Sequence, residues 1–486
     1  MLPENVVGDP DILGITQDSR KVKPGFLFVA ITGLRSDGEN YLQEAVRRGA
    51  LAILIRAGKT CRFPGVTVVA TSRDPRHCYS LLAAQFYEAQ PRSVVAVTGT
   101  NGKTSIVSFL RQIWSSNGIQ AASLGTLGLD APTIKTNFRA LEHSALTTPD
   151  PVLLHQILER LASYGIERVA IEASSHGLDQ YRLHGVRVTE AGFTNLSRDH
   201  MDYHDSMTSY LEAKLRLFNE VMAPGGVAVL NRDSGAFDEV ARVCERRGHR
   251  ILHYGCSRNT ATDGGINLLE LNLKGPGLVL TLGFEARVQE VFVPLAGEFQ
   301  AENVLCSLGL AMASGISFED AVSALPSLVP ARGRMELVGY SQSGAAIAID
   351  YAHSPDALKN ALSSFRKHCD GKLALVFGCG GDRDQGKREE MGRIACDLAD
   401  FIVVTDDNPR TENPAAIRKD VIKGCPKALE VPDRKEAIKT AMGMLHDGDL
   451  LLIAGKGHER YQIVGSEELE YSDFDVVQRT ISNGTS

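Results

Sequence analysis

The sequence predicts an α/β protein of about three domains built on mostly parallel sheets. Three observations predict it. The chain is 486 residues long, which corresponds to roughly three domains. Apolar, strand-like runs alternate with helical runs along most of it. One apolar strand, Val94 to Val97, passes into Thr98-Gly99-Thr100-Asn101-Gly102-Lys103-Thr104 and then into an apolar-periodic helix with Ile106, Val107, Leu110 and Ile113. The 43% hydrophobic content is ample for packed cores, and 23% charged residues is ordinary for a soluble protein.

The formal net charge is −7, from 52 basic and 59 acidic residues, so the basic footprint of a nucleic-acid or membrane-surface binder is missing. An anionic substrate then needs local basic groups and helix dipoles. Nine cysteines are scattered without a Cys-x-x-Cys pair, a pattern of reduced thiols in a cytoplasmic protein. Cys379, in FGCGGD, reads as a small residue in a strand–turn rather than a nucleophile. The opening MLPENVVGDPDIL lacks a charged-then-apolar leader pattern, and no apolar run approaches the roughly 18 residues of a membrane span.

Residues 1–92 read as a small α/β domain, with a strand from Phe26 to Ile31, a helix from Tyr41 to Arg48, a strand from Ala52 to Ile55 and a helix from Ser72 to Gln90 before Pro91. Asp18-Ser19-Arg20, taken alone, is a turn with a surface charge.

Residues 93–331 form the second unit. Its glycine turn is a shortened P-loop, GTNGKT, with Val97 where the usual motif has its first glycine. Gly99, Thr100, Asn101 and Gly102 bring backbone amides to phosphate oxygens, and the following helix adds its positive end, including Ser105. Lys103 is placed to reach the β/γ-phosphates and the Thr104 hydroxyl to hold Mg²⁺. Further strands are predicted at Arg168–Ala173, Glu190–Thr194 and Val227–Leu230. Polar clusters leave the ends of these strands, where open α/β sheets bind ligands: LTTPD (146–150), EASSHG (172–177) and NLSRDHMDYH (195–204). Glu172 ends an apolar strand, where an unpaired carboxylate is costly, so it reads as a metal ligand or half of an ion pair. The third cluster is oxygen-rich and without cysteine, which suits Mg²⁺ rather than zinc. Lys214, on a helical run from Tyr210 to Val221, is by pattern a surface lysine. Asn303, in a helix from Glu298 to Ala313, fits either a cap or an adenine-edge contact.

Residues 332–486 alternate again, with strands at Ala345–Asp350, Leu373–Phe377, Phe401–Thr405 and Leu450–Ala454. Helices fit at Pro355–Lys367, Arg388–Leu398, Pro414–Lys423 and Arg434–Leu445. Each strand enters a polar loop, two of them glycine-bearing, and together these carry Asp350, His353, Arg383, Asp407, Arg410, Lys456, His458 and Glu459. Paired arginines and carboxylates on such loops fit a zwitterionic small molecule.

The ordered set GTNGKT, LTTPD, EASSHGL, TNLSRDHMDYH, Lys214, GEFQAEN, ARGRME, DYAHSPD, GGDRDQGKR, DNPR and GKGHE resembles the Mur ligase family, ATP-dependent amide-bond-forming enzymes of peptidoglycan precursor synthesis. The resemblance spans essentially the whole chain. It implies a UDP-sugar-binding N-terminal domain, a central P-loop ATPase domain and a Rossmann-like C-terminal domain. The implied activity adds meso-diaminopimelate to the D-glutamyl γ-carboxylate of UDP-N-acetylmuramoyl-L-alanyl-D-glutamate through an acyl phosphate, by a monomeric enzyme. Gln17 and Ser19 would meet the UDP-sugar, and Thr147, Thr148, Ser174, Gln180 and Arg182 the muramoyl dipeptide. Glu172, His200 and a carbamylated Lys214 would hold Mg²⁺ with Thr104. Asn303, Arg334, Asp350 and His353 would serve ATP, and Arg383, Asp407, Asn408, Pro409, Arg410, Gly455 and Glu459 the incoming amino acid. Leu34-Arg35-Ser36 departs from the His-Gln-Ala of some relatives.

Diaminopimelate differs from lysine by a carboxylate at its far end. The planar fork of Arg410 grips such a group bidentately, and lysine would leave it unpaired, a preference of roughly 10³. The rivals are a lysine-adding member of the family, which lacks the DNPR pairing, a folylpolyglutamate synthetase, and a nucleotide-binding protein without catalysis. TTPD and the N-terminal unit oppose the second, and the run Lys103, Thr104, Glu172, His200 and Lys214 opposes the third.

Overall fold

A computed structural model describes residues 10–33, 36–58, 61–71, 73–134, 146–201, 203–256, 264–274 and 277–483. Leu34 and Arg35 of the departing segment, Ser72, Asp202 and the opening nine residues lie outside that set. The chain folds as α/β units around three main sheets.

The N-terminal sheet has four parallel strands in sequence order, Gly14–Thr16, Phe26–Val29, Ala50–Arg56 and Thr67–Thr71. Phe28, Ile53 and Ile55 pack on one face with Ala45 of the helix Leu42–Arg47; Val29 and Leu54 pack on the other with Tyr79. The second helix is shorter than predicted, Pro75–Phe86. The Asp74 side chain accepts from the Arg76 amide and Pro75 opens the first turn, which fixes the start.

The central sheet has ten strands. Ser93–Thr98 lies between Val188–Phe193 and Arg168–Glu172, parallel to both. Its alternation is two-sided: Val95 and Val97 pack with the helices Lys103–Ser116 and Phe299–Ala313, Val94 and Ala96 with the helices Pro151–Ser163 and Phe237–Arg246. Four strands beyond those predicted extend one edge, Arg250–Gly255, Ile266–Lys274, Gly277–Phe284 and Arg287–Val293, the last two each pairing antiparallel with the strand before it. The predicted helix Tyr210–Val221 is instead an α-helix, Met207–Arg216, followed by a π turn, Leu217–Val221.

The C-terminal sheet runs Glu336–Tyr340, Ala346–Asp350, Leu450–Ala454, Leu373–Phe377, Phe401–Val404, Leu429–Glu430. All pairs but the first are parallel, so the loops after the four predicted strands emerge at one edge. A separate hairpin, Tyr461–Val464 with Glu467–Glu470, covers one of those loops. Among the described residues no helix is long and apolar enough to cross a membrane, and all nine cysteines are free thiols.

Candidate functional site

The phosphate-type loop sits at the carboxyl end of a strand in the interior of the central sheet. Gly99 has φ 142° and Gly102 has φ 87°; a Cβ at the first would overlap the Thr194 hydroxyl, and at the second the Asn303 amide oxygen. Glycine is therefore required at both. Gly102 is the N-cap of helix Lys103–Ser116 and supplies no side-chain cap, so the first-turn amides and the positive helix end point at open space. Asn195 accepts the Asn101 amide through its side chain at 2.9 Å and the Thr100 amide through its carbonyl at 2.9 Å, which pins the loop to the neighbouring strand end.

The Lys103 ammonium donates to the Gly99 and Thr100 carbonyls at 2.8 and 2.7 Å. Lys214 donates to the same Gly99 carbonyl at 2.8 Å. Its side chain is buried, 1% exposed, against the predicted surface position. The reason is tertiary: the ammonium lies 4.1 Å from the centroid of the Tyr210 ring, one turn earlier, and the helix packs that face onto the loop. Burial, and then the neighbouring Lys103 charge, hold the Lys214 pKa well below the usual lysine value. Burial also lowers that of Lys103, opposed by Glu172 and Asp199.

Glu172 is buried and is not unsatisfied, and among the described residues it forms no ion pair. The Thr126 amide and hydroxyl donate to its two oxygens at 2.8 and 3.1 Å. Glu172, Thr104, His200 and Lys214 line one cavity of about 440 Å³ with the loop. Their hydroxyl, carboxylate and imidazole groups suit a hard divalent cation. Among the described residues no three His, Cys, Asp or Glu side chains are placed to hold a metal ion by themselves. The set thus fits Mg²⁺ only as that ion usually binds, with substrate phosphates and water completing its shell.

Thr147 and Ser174 line this cavity, and so do Asn303, Arg334, Asp350 and His353. Thr148 stands behind: its hydroxyl donates to the Glu172 carbonyl at 2.8 Å and meets Ser174 at 3.0 Å. Arg182 joins the group by donating to the Thr148 carbonyl and to the Gln180 side chain, both at 2.7 Å. Gln180 in turn donates to the Tyr203 hydroxyl at 3.1 Å. Gln17 and Ser19 belong to the N-terminal unit and line neither main cavity. Gln17 bonds the Asp150 carboxylate, which also caps helix Pro151–Ser163 and takes the Tyr79 hydroxyl at 3.1 Å. Ser19 donates to Glu44 at 2.8 Å in a short 3-10 turn capped by Asp18.

The C-terminal loops face the same space. Arg334 stacks 4.5 Å from the Tyr351 ring centroid. Asp350 is buried and accepts the Met335 and Ala352 amides at 2.7 and 2.8 Å; burial raises its pKa, opposed by Arg334. Asn303 donates to Gln300 at 2.8 Å, and its oxygen faces Gly102. His200 and His353 line both this cavity and a second one of about 660 Å³, which Arg383, Asp407, Asn408, Arg410, Gly455 and Glu459 also line. Pro409 is buried in the turn between Asn408 and Arg410, and its carbonyl accepts the Glu412 amide at 3.1 Å. Arg410 adopts φ 49°, an uncommon conformation for a side-chain-bearing residue. The hairpin holds it there: its amide donates to the Ile463 carbonyl at 3.1 Å, and its carbonyl accepts the Gly465 amide at 2.8 Å. The guanidinium is anchored on the Gly381 carbonyl at 2.8 Å.

Three family models match successive parts of the chain: "Mur ligase family, catalytic domain" over residues 11–86, "Mur ligase middle domain" over 97–311 and "Mur ligase, glutamate ligase domain" over 333–457. A UDP-N-acetylmuramoyl-L-alanyl-D-glutamate–2,6-diaminopimelate ligase of Bradyrhizobium diazoefficiens is 46% identical over 481 residues, 99% of this chain and 97% of the relative. The chain belongs to the Mur ligase family. A ligase of the same description from Mesorhizobium japonicum is 46% identical, covering 97% of this chain and 95% of the relative. A solved structure of that description superposes with TM-score 0.68 at 33% identity, over 98% of this chain and 96% of the other. A folylpolyglutamate synthase of Mycobacterium tuberculosis, at 18% identity and TM-score 0.63 over 78% of this chain and 91% of the other, shares the fold.

As a Mur ligase the chain is an ATP-dependent, amide-bond-forming enzyme. Several residues of its site escape sequence reading. Thr126 holds Glu172, Tyr210 underlies Lys214, and Tyr351 underlies Arg334. Tyr351 lies inside DYAHSPD, but as an aromatic between Asp350 and His353 it is not singled out by the sequence, and Thr126 sits in a turn outside every motif. Tyr210 alone carried a signal, its i, i+4 spacing to Lys214 on one helix face.

Proposed function

We propose that this Mur ligase joins meso-diaminopimelate to the D-glutamyl γ-carboxylate of UDP-N-acetylmuramoyl-L-alanyl-D-glutamate, using ATP. One observation carries the reading. The phosphate loop and a pocket whose lining includes Arg383, Arg410, Asp407 and Glu459 open on adjoining cavities that share His200 and His353. A nucleotide on the loop and a zwitterionic amino acid on the C-terminal loops therefore face each other.

The chemistry follows from charge. A carboxylate does not acylate an amine at neutral pH. An oxygen of the γ-carboxylate attacks the γ-phosphorus of ATP, the bond to ADP breaks, and an acyl phosphate forms. The amine of diaminopimelate then attacks the acyl carbon, the tetrahedral adduct expels phosphate, and the amine loses a proton. The first step brings an anion to a polyanion; Lys103 and the uncapped helix end offset that repulsion and align the groups. Mg²⁺, when bound, supplies further charge neutralisation, and Thr104, Glu172, His200 and Lys214 as its carbamate would hold it. Lys214 suits carbamylation, because burial and Lys103 favour its neutral amine, the form that adds CO₂.

Thr147, Thr148, Ser174, Gln180 and Arg182 receive the dipeptide, with Gln17 and Ser19 toward the uridine end. Asn303, Arg334, Asp350 and His353 surround the nucleotide. Arg383 and Arg410 take the carboxylates of diaminopimelate, Asp407 and Glu459 its ammonium groups, and the Asn408–Pro409 turn and Gly455 shape the pocket. Closure of the central and C-terminal units brings the amine to the acyl phosphate and excludes water. The test is phosphate release from ATP with each substrate withheld in turn. Release that requires both the UDP-sugar dipeptide and diaminopimelate supports the reading; release indifferent to either overturns it.

A further inference from the structure

Lys456 is a fully buried cation that does not line the amino-acid pocket. It lies directly behind two residues that do. Its ammonium donates to the Asn408 side-chain oxygen and to Glu459 Oε2, each at 2.9 Å. Asn408 donates its own amide to the same Glu459 Oε2 at 2.9 Å, and the Ile463 amide of the hairpin donates to the Asn408 oxygen at 2.9 Å. The four groups form a closed set with a defined outcome. Both donors sit on Oε2 of Glu459, so that oxygen is committed to the wall. Oε1 meets only the Tyr351 hydroxyl among the described residues, at 3.5 Å, and is the oxygen left for a ligand.

The amide of Asn408 is likewise fixed. Two donors on its oxygen exclude the flipped orientation, so its NH₂ group is held toward Glu459 and the pocket. Glu459 is only 14% exposed at its side chain, and its pairing with the Lys456 ammonium at 2.9 Å is the one ion pair found for it among the described residues. Gly455, with φ 112°, and the Lys456 carbonyl, which takes the Glu459 amide at 2.9 Å, shape the turn that carries both charges.

We propose that Lys456 is a positioning residue for the amino-acid substrate, fixing Glu459 Oε1 and the Asn408 amide in the orientation that receives the ligand's ammonium and carboxylate. This rests on the reading above that Asn408 and Glu459 bind that substrate. The substitution Lys456→Met removes the buried charge at similar length; Lys456→Gln keeps hydrogen-bonding capacity without it; Lys456→Arg keeps charge and donors.

The experiment uses the full chain and initial-rate phosphate release, varying diaminopimelate, ATP and the UDP-sugar dipeptide in turn, with Glu459→Gln in parallel. Lys456→Met is expected to raise KM for diaminopimelate at least tenfold while KM for the other two stays within twofold. Lys456→Arg is expected to recover at least a third of the lost kcat/KM. Should the Met variant not fold, Lys456→Gln decides by the same KM criterion. An unchanged diaminopimelate KM, or a proportional rise in all three KM values, overturns the role of Lys456. If Glu459→Gln itself leaves diaminopimelate KM unaltered, the assignment of the pocket fails instead, and that failure is distinct.

Discussion

The sharpest prediction concerns Arg410. Its backbone is locked at φ 49° by the hairpin, and one terminal nitrogen is spent on the Gly381 carbonyl. The rest of the fork is offered to the cavity it shares with Arg383, Asp407 and Glu459. Two charge-assisted hydrogen bonds to a substrate carboxylate contribute about 1.5–3 kcal/mol each. The guanidinium is half-buried, so the lower part of that range applies, about 3–4 kcal/mol in all, or roughly 10²–10³ in kcat/KM. Arg410→Ala should therefore lower kcat/KM for meso-diaminopimelate by that factor and leave KM for ATP nearly unchanged. Arg410→Lys, a point charge without the fork, should recover only part of the loss. The unaltered enzyme should prefer meso-diaminopimelate to L-lysine by a similar factor. A loss of less than threefold in Arg410→Ala, or equal turnover of both amino acids by the unaltered chain, refutes the reasoning.

Lys214→Ala should reduce kcat severely, and added short carboxylates should restore part of it, measured as phosphate release; full activity without them contradicts the carbamate role. Arg434 and Asp473 are both fully buried and paired through two 2.8 Å bonds, with Arg434 also on the Ala454 carbonyl at 2.9 Å. Arg434→Met strands the aspartate and should cost about 3–5 kcal/mol, a fall of about 10 °C in Tm, with much of it recovered in the double variant Arg434→Met with Asp473→Leu. Burial pushes the pKa of His155 down to about 4. The unfolded chain takes up that proton from about pH 6.5 downward while the folded chain refuses it, so this site removes stability as pH falls from 6.5 toward 4, up to about 3 kcal/mol. His155→Phe should flatten the dependence of Tm on pH in that window; an unchanged slope contradicts it.

The parallel strands were legible because each is a short, continuous apolar run buried on both faces, as Val94 to Val97 is. The phosphate loop was legible because its glycines and Lys103-Thr104 are adjacent in sequence. The antiparallel extension from Ile266 to Val293 was not read, since its partly exposed strands mix polar and apolar residues without a clean alternation. Lys214 was misread as surface because the burial of a lysine is set by what packs over it, here Tyr210 and the Gly99 carbonyl from 115 positions away. Glu172 was read as costly at a strand end, which it is, and Thr126 answers that cost from a turn without any motif. Local pattern thus located the loops, whereas the partners that orient them come from distant segments.

The central claim is that ATP turns the inert γ-carboxylate into an acyl phosphate, and isotope transfer tests it most directly. The UDP-sugar dipeptide is supplied with ¹⁸O in its D-glutamyl γ-carboxylate, together with ATP and diaminopimelate, and the released phosphate is analysed by mass. The account predicts one ¹⁸O atom in each phosphate formed during coupling; unlabelled phosphate accompanying labelled amide product would contradict it.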